Sequence, residues 1–494
     1  LAAILRKKYK GLKMITLQKP RVRFAPAPTG MMHLGNIRTA LMNYLLAHQK
    51  QGTFILRVED TDLERNFDPG AEKIKEDLAW LGLTYDEGPG KEQASMAPYF
   101  QSQRDSIYER ELQSFIAKGF VYRCFCTTEE LDRKRQRQIA LKQPPRYDGT
   151  CAALTQEESN AQSQTAPSIW RMKIDHTQTV TIHDLSHGPV VFDLKNFSDF
   201  PISRQDGSVT FMFANFIDDV LMKVDCVIRG EDHLSNTAGQ AAMYLAYGAK
   251  LPLFWHMPIL CSIDGKKLSK RDFGFSLRDL KDSGFLPEAI INYLAIIGGS
   301  FKNEIMSKQE LIAAMNFDSI STTGQIKYDV EKLRWVNHKW IAKLSSEALT
   351  DHCLPYLYEA YKSTQTIDRE TITKALSYIH QEMVTLRDCV SLLSFYFDTP
   401  VYEKDIARTI TTPEKISALC AVLKTSVNES TIDDFLATAK KDAAIAGIAP
   451  KELFSFIRYG LTGSVTGIGI VHLGNLLGYK EIQNRLLHFL PLIG

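Results

Sequence analysis

Between residues 20 and 120 short apolar runs alternate with amphipathic stretches. "RVRFAP" (21–26) reads as a strand stopped by its prolines. In "HLGNIRTALMNYLLAHQK" (33–50), Ile37, Leu41, Tyr44 and Leu45 recur at helical spacing. "GTFILRVED" (52–60) reads as a strand, and "PGAEKIKEDLAWLG" (69–82) as a helix bracketed by Pro69 and Gly82. This order predicts the opening of an α/β domain with a mostly parallel sheet.

Residues 121–208 interrupt that rhythm and read as an insertion. A Cys-x-Cys turn precedes the charged helix "TTEELDRKRQRQIALK", and "SIWRMKI" and "TVTIHDL" read as short strands. The α/β pattern resumes over 209–285. Beyond 285 nearly every periodic segment has helical spacing, which predicts an all-α second half divided near 390–412. The expected segments are 1–19, 20–120, 121–208, 209–285, 286–390 and 391–494.

A chain of 494 residues fits about three domains at roughly 150 residues each. It lacks an apolar run of the roughly 18 residues needed for a membrane span, so no membrane partner is expected. A net charge of +2 is too small to indicate a polyanionic partner by itself, and leaves that question to local basic patches. Cys226, Cys261, Cys353, Cys389 and Cys420 are scattered, while Cys124, Cys126 and Cys151 cluster. That usage suits a reducing compartment, and a cytoplasmic monomer is expected. The basic start "LAAILRKKYKGLKMI" lacks the apolar core and cleavage site of a secretory signal, and reads as an extension before Met14.

Two motifs carry candidate chemistry. "APAPTGMMHLGN" (25–36) is a stiff loop that leaves a strand and opens a helix near His33. A helix start offers unpaired N–H groups to an anion, and Gly30 and Gly35 allow close approach. His33 and Asn36, three apart, share one side of the first turn; they serve either as a helix cap or as donors to a phosphate. The stretch matches neither G-x-G-x-x-G nor a P-loop. In "CSIDGKKLSKRDF" (261–273), Lys266, Lys267, Lys270 and Arg271 place four cations in six residues around Ser269. Such a loop either binds phosphates or is a solvated turn.

Taken together, "HLGN" (33–36) is similar to the HIGH signature and "KLSKR" (267–271) to the KMSKS loop of class I aminoacyl-tRNA synthetases. The flanking runs "RFAPAPTG", "LRVEDTDLER", "GLTYDEGP", "YFQSQRDSIY", "CFCTTEEL", "VIRGEDHLSNT" and "RYGLTGSVTG" resemble the glutamyl-tRNA synthetase family from Arg21 onward. The resemblance implies a Rossmann-like catalytic domain (20–120 and 209–285) with an inserted acceptor-binding domain (121–208). It also implies a helical stem-contact region with the first anticodon-binding helices (286–390), and a helical anticodon-binding domain (391–494).

The activity so implied is ATP- and Mg²⁺-dependent formation of glutamyl-adenylate, then transfer of glutamate to the 3′ terminal adenosine of tRNA(Glu). A non-discriminating enzyme would also charge tRNA(Gln). By the same resemblance His33, Asn36, Lys267 and Lys270 are catalytic, and Thr29, Gly30, Gly35, Leu268 and Ser269 join them around ATP. Arg23 and Arg229 would hold the carboxylates of glutamate, in either order, and Glu59 its amino group; Ala25, Ala27, Phe211 and Asn215 complete the pocket. Ala27 and Phe211 stand where the family more often has serine and tyrosine, so two hydroxyls are missing. A catalytically impaired tRNA-binding paralogue is the alternative that this departure leaves open. Asp60, Asp62 and Glu64 have the spacing of metal ligands, but Arg65 among them argues against a cage. Cys124, Cys126, Tyr147 and Cys151 form either a zinc site or a metal-free knuckle; some relatives have a histidine ligand where Ala153 stands here. Arg133, Lys134, Arg135, Arg137 and Lys142, and later Arg334, Asn337, His338 and Lys339 beside Trp335 and Trp340, are the tRNA-contact candidates.

Overall fold

The predicted opening forms in the computed structural model, which describes residues 17–62, 66–269, 271–297, 301–317 and 325–493. The extension before Met14, Glu64, Arg65 and Lys270 lie outside the described residues. Strand β1 (Arg21–Phe24) leads through α1 (Leu34–Gln49) to β2 (Thr53–Leu56). Helix α2 (Glu72–Trp80) starts three residues later than Pro69 suggests. The cause is Asp68, whose carboxylate accepts the free amides of Glu72 and Lys73 at 3.1 and 2.9 Å. After α3 (Asp105–Ala117), β3 (Val121–Cys124), α4 (Thr128–Ala140) and α5 (Gln156–Ser163) come β4 (Ile169–Met172), β5 (Thr179–Asp184) and β6 (Gly188–Asp193). Then follow α6 (Phe211–Leu221), β7 (Cys226–Gly230), α7 (Leu234–Tyr247), β8 (Leu253–Met257) and β9 (Leu260–Cys261), with β10 at Ile326–Lys327.

Six strands form the main sheet in the order β2-β1-β7-β8-β5-β6. All neighbours are parallel except the β5–β6 hairpin. Strands β7 and β8 are buried almost throughout, as expected for parallel strands covered on both faces, whereas β5 alternates exposed and buried residues in the way of an edge region. The hairpin comes from within 121–208, so that stretch extends the main sheet as well as forming the separate β3–β4 pair. The chain divides into two units. The first runs to Asp279 and also takes in Ile291–Val330; the second comprises Leu280–Ile290 and Glu331–Gly494. Within the first, Gln49 Nε2 donates to the carbonyls of Ile312 and Met315 at 2.8 and 2.6 Å, tying the later segment to the end of α1.

Among its described residues the second unit is helical. Its longer helices include Ser346–Ala360, Pro413–Ser426, Ile432–Ile445, Pro450–Thr462 and Tyr479–Ile493, and the stretch expected to divide it carries three short helices, Asp388–Leu392, Ser394–Phe397 and Lys404–Ile410. Gly460 lets helix Pro450–Thr462 lie against Phe489, since a Cβ there would stand 2.6 Å from the ring. One tRNA-contact candidate, Asn337, turns out to be internal, and another, His338, is half-buried. Asn337 is fully buried, accepting from Leu286 N at 2.8 Å and donating to Val384 O at 2.7 Å. His338 Nδ1 lies 2.8 Å from Met383 O. Replacing Asn337 with leucine strands a buried amide and a part-buried carbonyl, and the expected cost is about 2 kcal/mol. Urea denaturation followed by circular dichroism should show that loss in the helical transition.

Candidate active site

Chain order reverses between β1 and β7: β1 continues to β2 on one side, and β7 joins on the other. In an open α/β sheet this is where a crevice opens at the carboxyl ends of the strands. A cavity of about 460 Å³ lies here, lined by Arg23 and Phe24 from β1, by Ile228, Arg229 and Gly230 from β7, and by the start of α1.

The floor is a hydrogen-bonded ionic network. Arg57, fully buried just after β2, donates to Asp219 Oδ1 at 2.7 Å and to Glu59 Oε1 at 3.0 Å. Arg23 pairs with both oxygens of Asp219 at 3.1 and 3.3 Å. Burial pushes the Asp219 carboxyl up, but Arg23 and Arg57 outweigh it and hold the group below the usual range. Glu59 goes the other way: burial dominates and raises it, despite the same arginines. Asn215 donates to Glu59 Oε1 at 2.6 Å and accepts from Gln240, which in turn accepts from Arg229 Nη2 at 2.7 Å. Asn215 and Asp219 sit one turn apart on α6, and Thr237 and Gln240 three apart on α7, so each helix turns one polar edge to the sheet ends.

The two expected carboxylate-binding arginines therefore differ. Arg23 is already paired. Arg229, 7% exposed, has no ion pair among the described residues, neither with the adjacent Glu231 nor with Asp232. Burial, then the nearby charge of Arg23, pulls its pKa down to about 10. Arg38 of α1 also lines the cavity without an ion pair among the described residues, bonded to Pro258 O at 3.3 Å and lowered to about 10 by burial. A buried arginine without a carboxylate suits an anionic ligand.

His33 takes the first of its two readings, the helix cap, and keeps its second ring nitrogen as a donor. Its Nδ1 accepts from Gly35 N and Asn36 N at 3.1 and 3.3 Å, and Asn36 Oδ1 accepts from His33 N in return, a capping box. Nδ1 is thus an acceptor, which puts the proton of the neutral ring on Nε2 as a donor. Burial and the charge of Lys267 lower the pKa and favour this neutral form. The ring stacks on Phe275, and a bridge from His33 to Ser276 fastens the helix start to the lysine loop. Lys267, two-thirds exposed, lies 3.4 Å from Asp232. Asp272 shapes the loop by accepting from Ser269 N and Oγ at 2.8 and 3.0 Å.

Of the sequence candidates, Arg23, Ala25, Ala27, His33, Gly35, Asn36, Glu59, Phe211, Asn215, Arg229, Lys267 and Leu268 line the one cavity. Thr29, Gly30 and Ser269 are exposed and do not line it. Asp60 serves the scaffold, accepting from Ser102 N and Oγ at 2.8 and 2.6 Å. Sequence reasoning missed Arg38, Arg57, Asp184, Thr237, Gln240 and His256. The alternation Arg57-x-Glu59 on one face of an apolar run was the available signal for Arg57.

Away from the cavity, the sulfurs of Cys124, Cys126 and Cys151 lie within 4.8 Å of one another. Tyr147 Oη stands 3.4 Å from Cys124 Sγ and 3.8 Å from Cys126 Sγ. The 3.7 Å between Cys126 and Cys151 matches the edge of a tetrahedron with Zn–S bonds of about 2.3 Å. Burial raises the Cys126 thiol to about 12 and also raises the Tyr147 phenol. The donor set fits a zinc ion, which would offset the cost of deprotonating those groups. Lys134, a tRNA candidate, secures the adjoining turn through Asp148 and Thr150.

With this geometry in view, residues 19–335 match the family described as "tRNA synthetases class I (E and Q), catalytic domain", and residues 348–490 match "Anticodon binding domain". The chain belongs to the class I tRNA synthetases of the glutamyl and glutaminyl branch. More narrowly, it is 39% identical over 483 residues to a glutamate–tRNA ligase of Sulfurihydrogenibium sp., covering 96% of this chain and all of that one. A glutamate–tRNA ligase of Bacillus subtilis is 35% identical over 480 residues, covering 94% and 98%. A crystal structure of a glutamate tRNA ligase from Elizabethkingia meningosepticum, in complex with its amino acid, superposes with a TM-score of 0.84 at 29% identity, covering 97% of this chain and all of that one.

Gly35 gives a sharp test of the His33 arrangement. A Cβ there would stand 3.0 Å from His33 Cε1 and 3.1 Å from Nδ1, tighter than the ring tolerates without shifting. Gly35→Ala should lower kcat by about tenfold or more. Helix propensity favours alanine by roughly 1 kcal/mol, so the melting temperature should hold or rise. Kinetics and calorimetry on one variant check both directions.

Proposed function

We propose that the chain ligates L-glutamate to tRNA(Glu) at the expense of ATP. The observation that carries this reading is the unpaired cation Arg229 in the same cavity as His33 and Lys267. An anionic amino acid and a triphosphate need such a pair of neighbouring sites. Arg229 takes one carboxylate of glutamate, and Arg23, held by Asp219, adds positive potential beside it. Glu59, fixed by Arg57 and Asn215, accepts from the ammonium.

A glutamate α-carboxylate oxygen attacks the α-phosphorus of ATP; the bond to the bridging oxygen breaks and pyrophosphate leaves. Negative charge grows on the phosphoryl oxygens as this happens. His33 Nε2–H and the ammonium of Lys267 stabilise it, with Lys270 assigned to the same loop by sequence. Mg²⁺ enters with ATP as part of the substrate. A ribose hydroxyl of the terminal adenosine then attacks the activated carbonyl and AMP leaves. The exposed face of α4, with Arg133 and Arg137, supports contact with the acceptor arm, and the helical unit supports the anticodon end. Cys124, Cys126, Cys151 and Tyr147 would hold a zinc ion that staples the base of α4.

The purified chain should release pyrophosphate from ATP only when L-glutamate and its tRNA are both present. Charging assays with tRNA(Glu) and tRNA(Gln) in parallel define its range, and failure on both would sink the ligase reading. Elemental analysis of protein prepared without chelators should find about one zinc per chain. Chelation should then make the three clustered thiols reactive to a thiol reagent; metal-free protein at the outset would favour the bare knuckle.

A further inference from the structure

Arg229 and His256 are direct neighbours on the parallel strands β7 and β8, and Asp184 lies on β5, the next strand along. The side chains of His256 and Asp184 are fully buried. The Asp184 carboxylate accepts four hydrogen bonds, from Ser186 N, His187 N and His256 N at 2.8, 2.9 and 3.0 Å, and from His256 Nδ1 at 2.7 Å. A carboxylate that only accepts requires the proton on Nδ1, and in the neutral ring, which burial favours, that leaves a lone pair on Nε2. Nε2 lies 2.8 Å from Thr237 Oγ1 and 3.4 Å from Arg229 Nε. Arg229 Nη2 donates to Thr237 Oγ1 at 2.6 Å and to Gln240 Oε1 at 2.7 Å. Three of the five guanidinium hydrogens are thus directed at neutral acceptors.

We propose that Asp184 and His256 are positioning residues for amino-acid recognition, orienting Arg229 through a neutral imidazole so that its Nη1 group is kept for a carboxylate of the substrate. The reason for the relay is electrostatic. A carboxylate in contact with Arg229 would neutralise it and compete with the ligand. Set one residue back, behind a ring whose tautomer it fixes, the same carboxylate holds the arginine in place and leaves its charge unpaired. The strand that supplies Asp184 belongs to 121–208, so that segment takes part in choosing the amino acid as well as in its other roles.

The inference rests on Arg229 holding a substrate carboxylate, and the experiment separates the two claims. Steady-state charging of tRNA(Glu) is measured with glutamate and ATP varied in turn. Arg229→Lys should raise the glutamate KM by about tenfold or more and leave the ATP KM within about twofold. Asp184→Asn and His256→Leu should show the same split, and His256→Gln, which keeps an acceptor toward Arg229, should recover most of the loss. The ¹⁵N spectrum of ring-labelled wild-type protein should show His256 protonated at Nδ1, a readout that needs no variant to fold. An unchanged glutamate KM in Arg229→Lys overturns the carboxylate reading itself. A normal glutamate KM in Asp184→Asn and His256→Leu, an equal rise for both substrates, or a wild-type His256 protonated at Nε2 overturns the relay alone.

Discussion

Arg57 is the group on which the cavity depends. Its guanidinium is fully buried and touches the carboxylates of Asp219 and Glu59, with Asp218 at 3.7 Å. Stripping water from such ions is expensive, and their mutual attraction recovers that cost only while every partner is present; losing one typically costs ~3–5 kcal/mol. The contacts join the end of β2 to α6, and through Asp219 to Arg23 on β1. Asn215 and Gln240 carry the network on to α7 and Arg229. Side chains from two strands, the segment after β2 and two helices are thereby fixed relative to one another before any ligand arrives.

Within that frame charge is distributed unevenly. Arg23 is offset by Asp219, whereas Arg229 and Arg38 keep their charge at the edge of the cavity, and burial pulls both below ordinary arginine. An anion entering the cavity would relieve this cost. His33 adds a neutral donor whose orientation is set by the helix it caps. Because the ring nitrogen facing the backbone must stay unprotonated, cap and donor are maintained by the same protonation state.

Much of this was legible in the chain. The apolar runs at 21–24 and 53–56 and the helical face of 34–49 formed within a few residues of their predicted bounds, because parallel strands and an amphipathic helix leave strong periodic signals. The loop "APAPTG", the "HLGN" turn and the glutamyl-family flanks pointed to most of the cavity wall. What sequence did not reveal depends on contacts distant along the chain. Asp184 and His256 meet across 72 residues, and nothing local marks either as polar machinery. Asn337 misled in the opposite sense: cations and tryptophans around it resemble a nucleic-acid face, yet it is fully buried and spends its hydrogen bonds on backbone within the helical unit. Strand β6 was missed because Gly188-Pro189 at its start reads as a turn.

The path of the chain between residues 279 and 331 has a consequence for anyone dividing this protein. The first unit yields Leu280–Ile290 to the second, then reclaims Ile291–Val330. No single break in the gene separates them: a fragment stopped before Ile291 would leave the amide of Gln49 without the carbonyls of Ile312 and Met315. On the ribosome the same route means that the first unit is complete only once about seventy residues beyond β8 have emerged, so its completion and the start of the helical half are coupled in time.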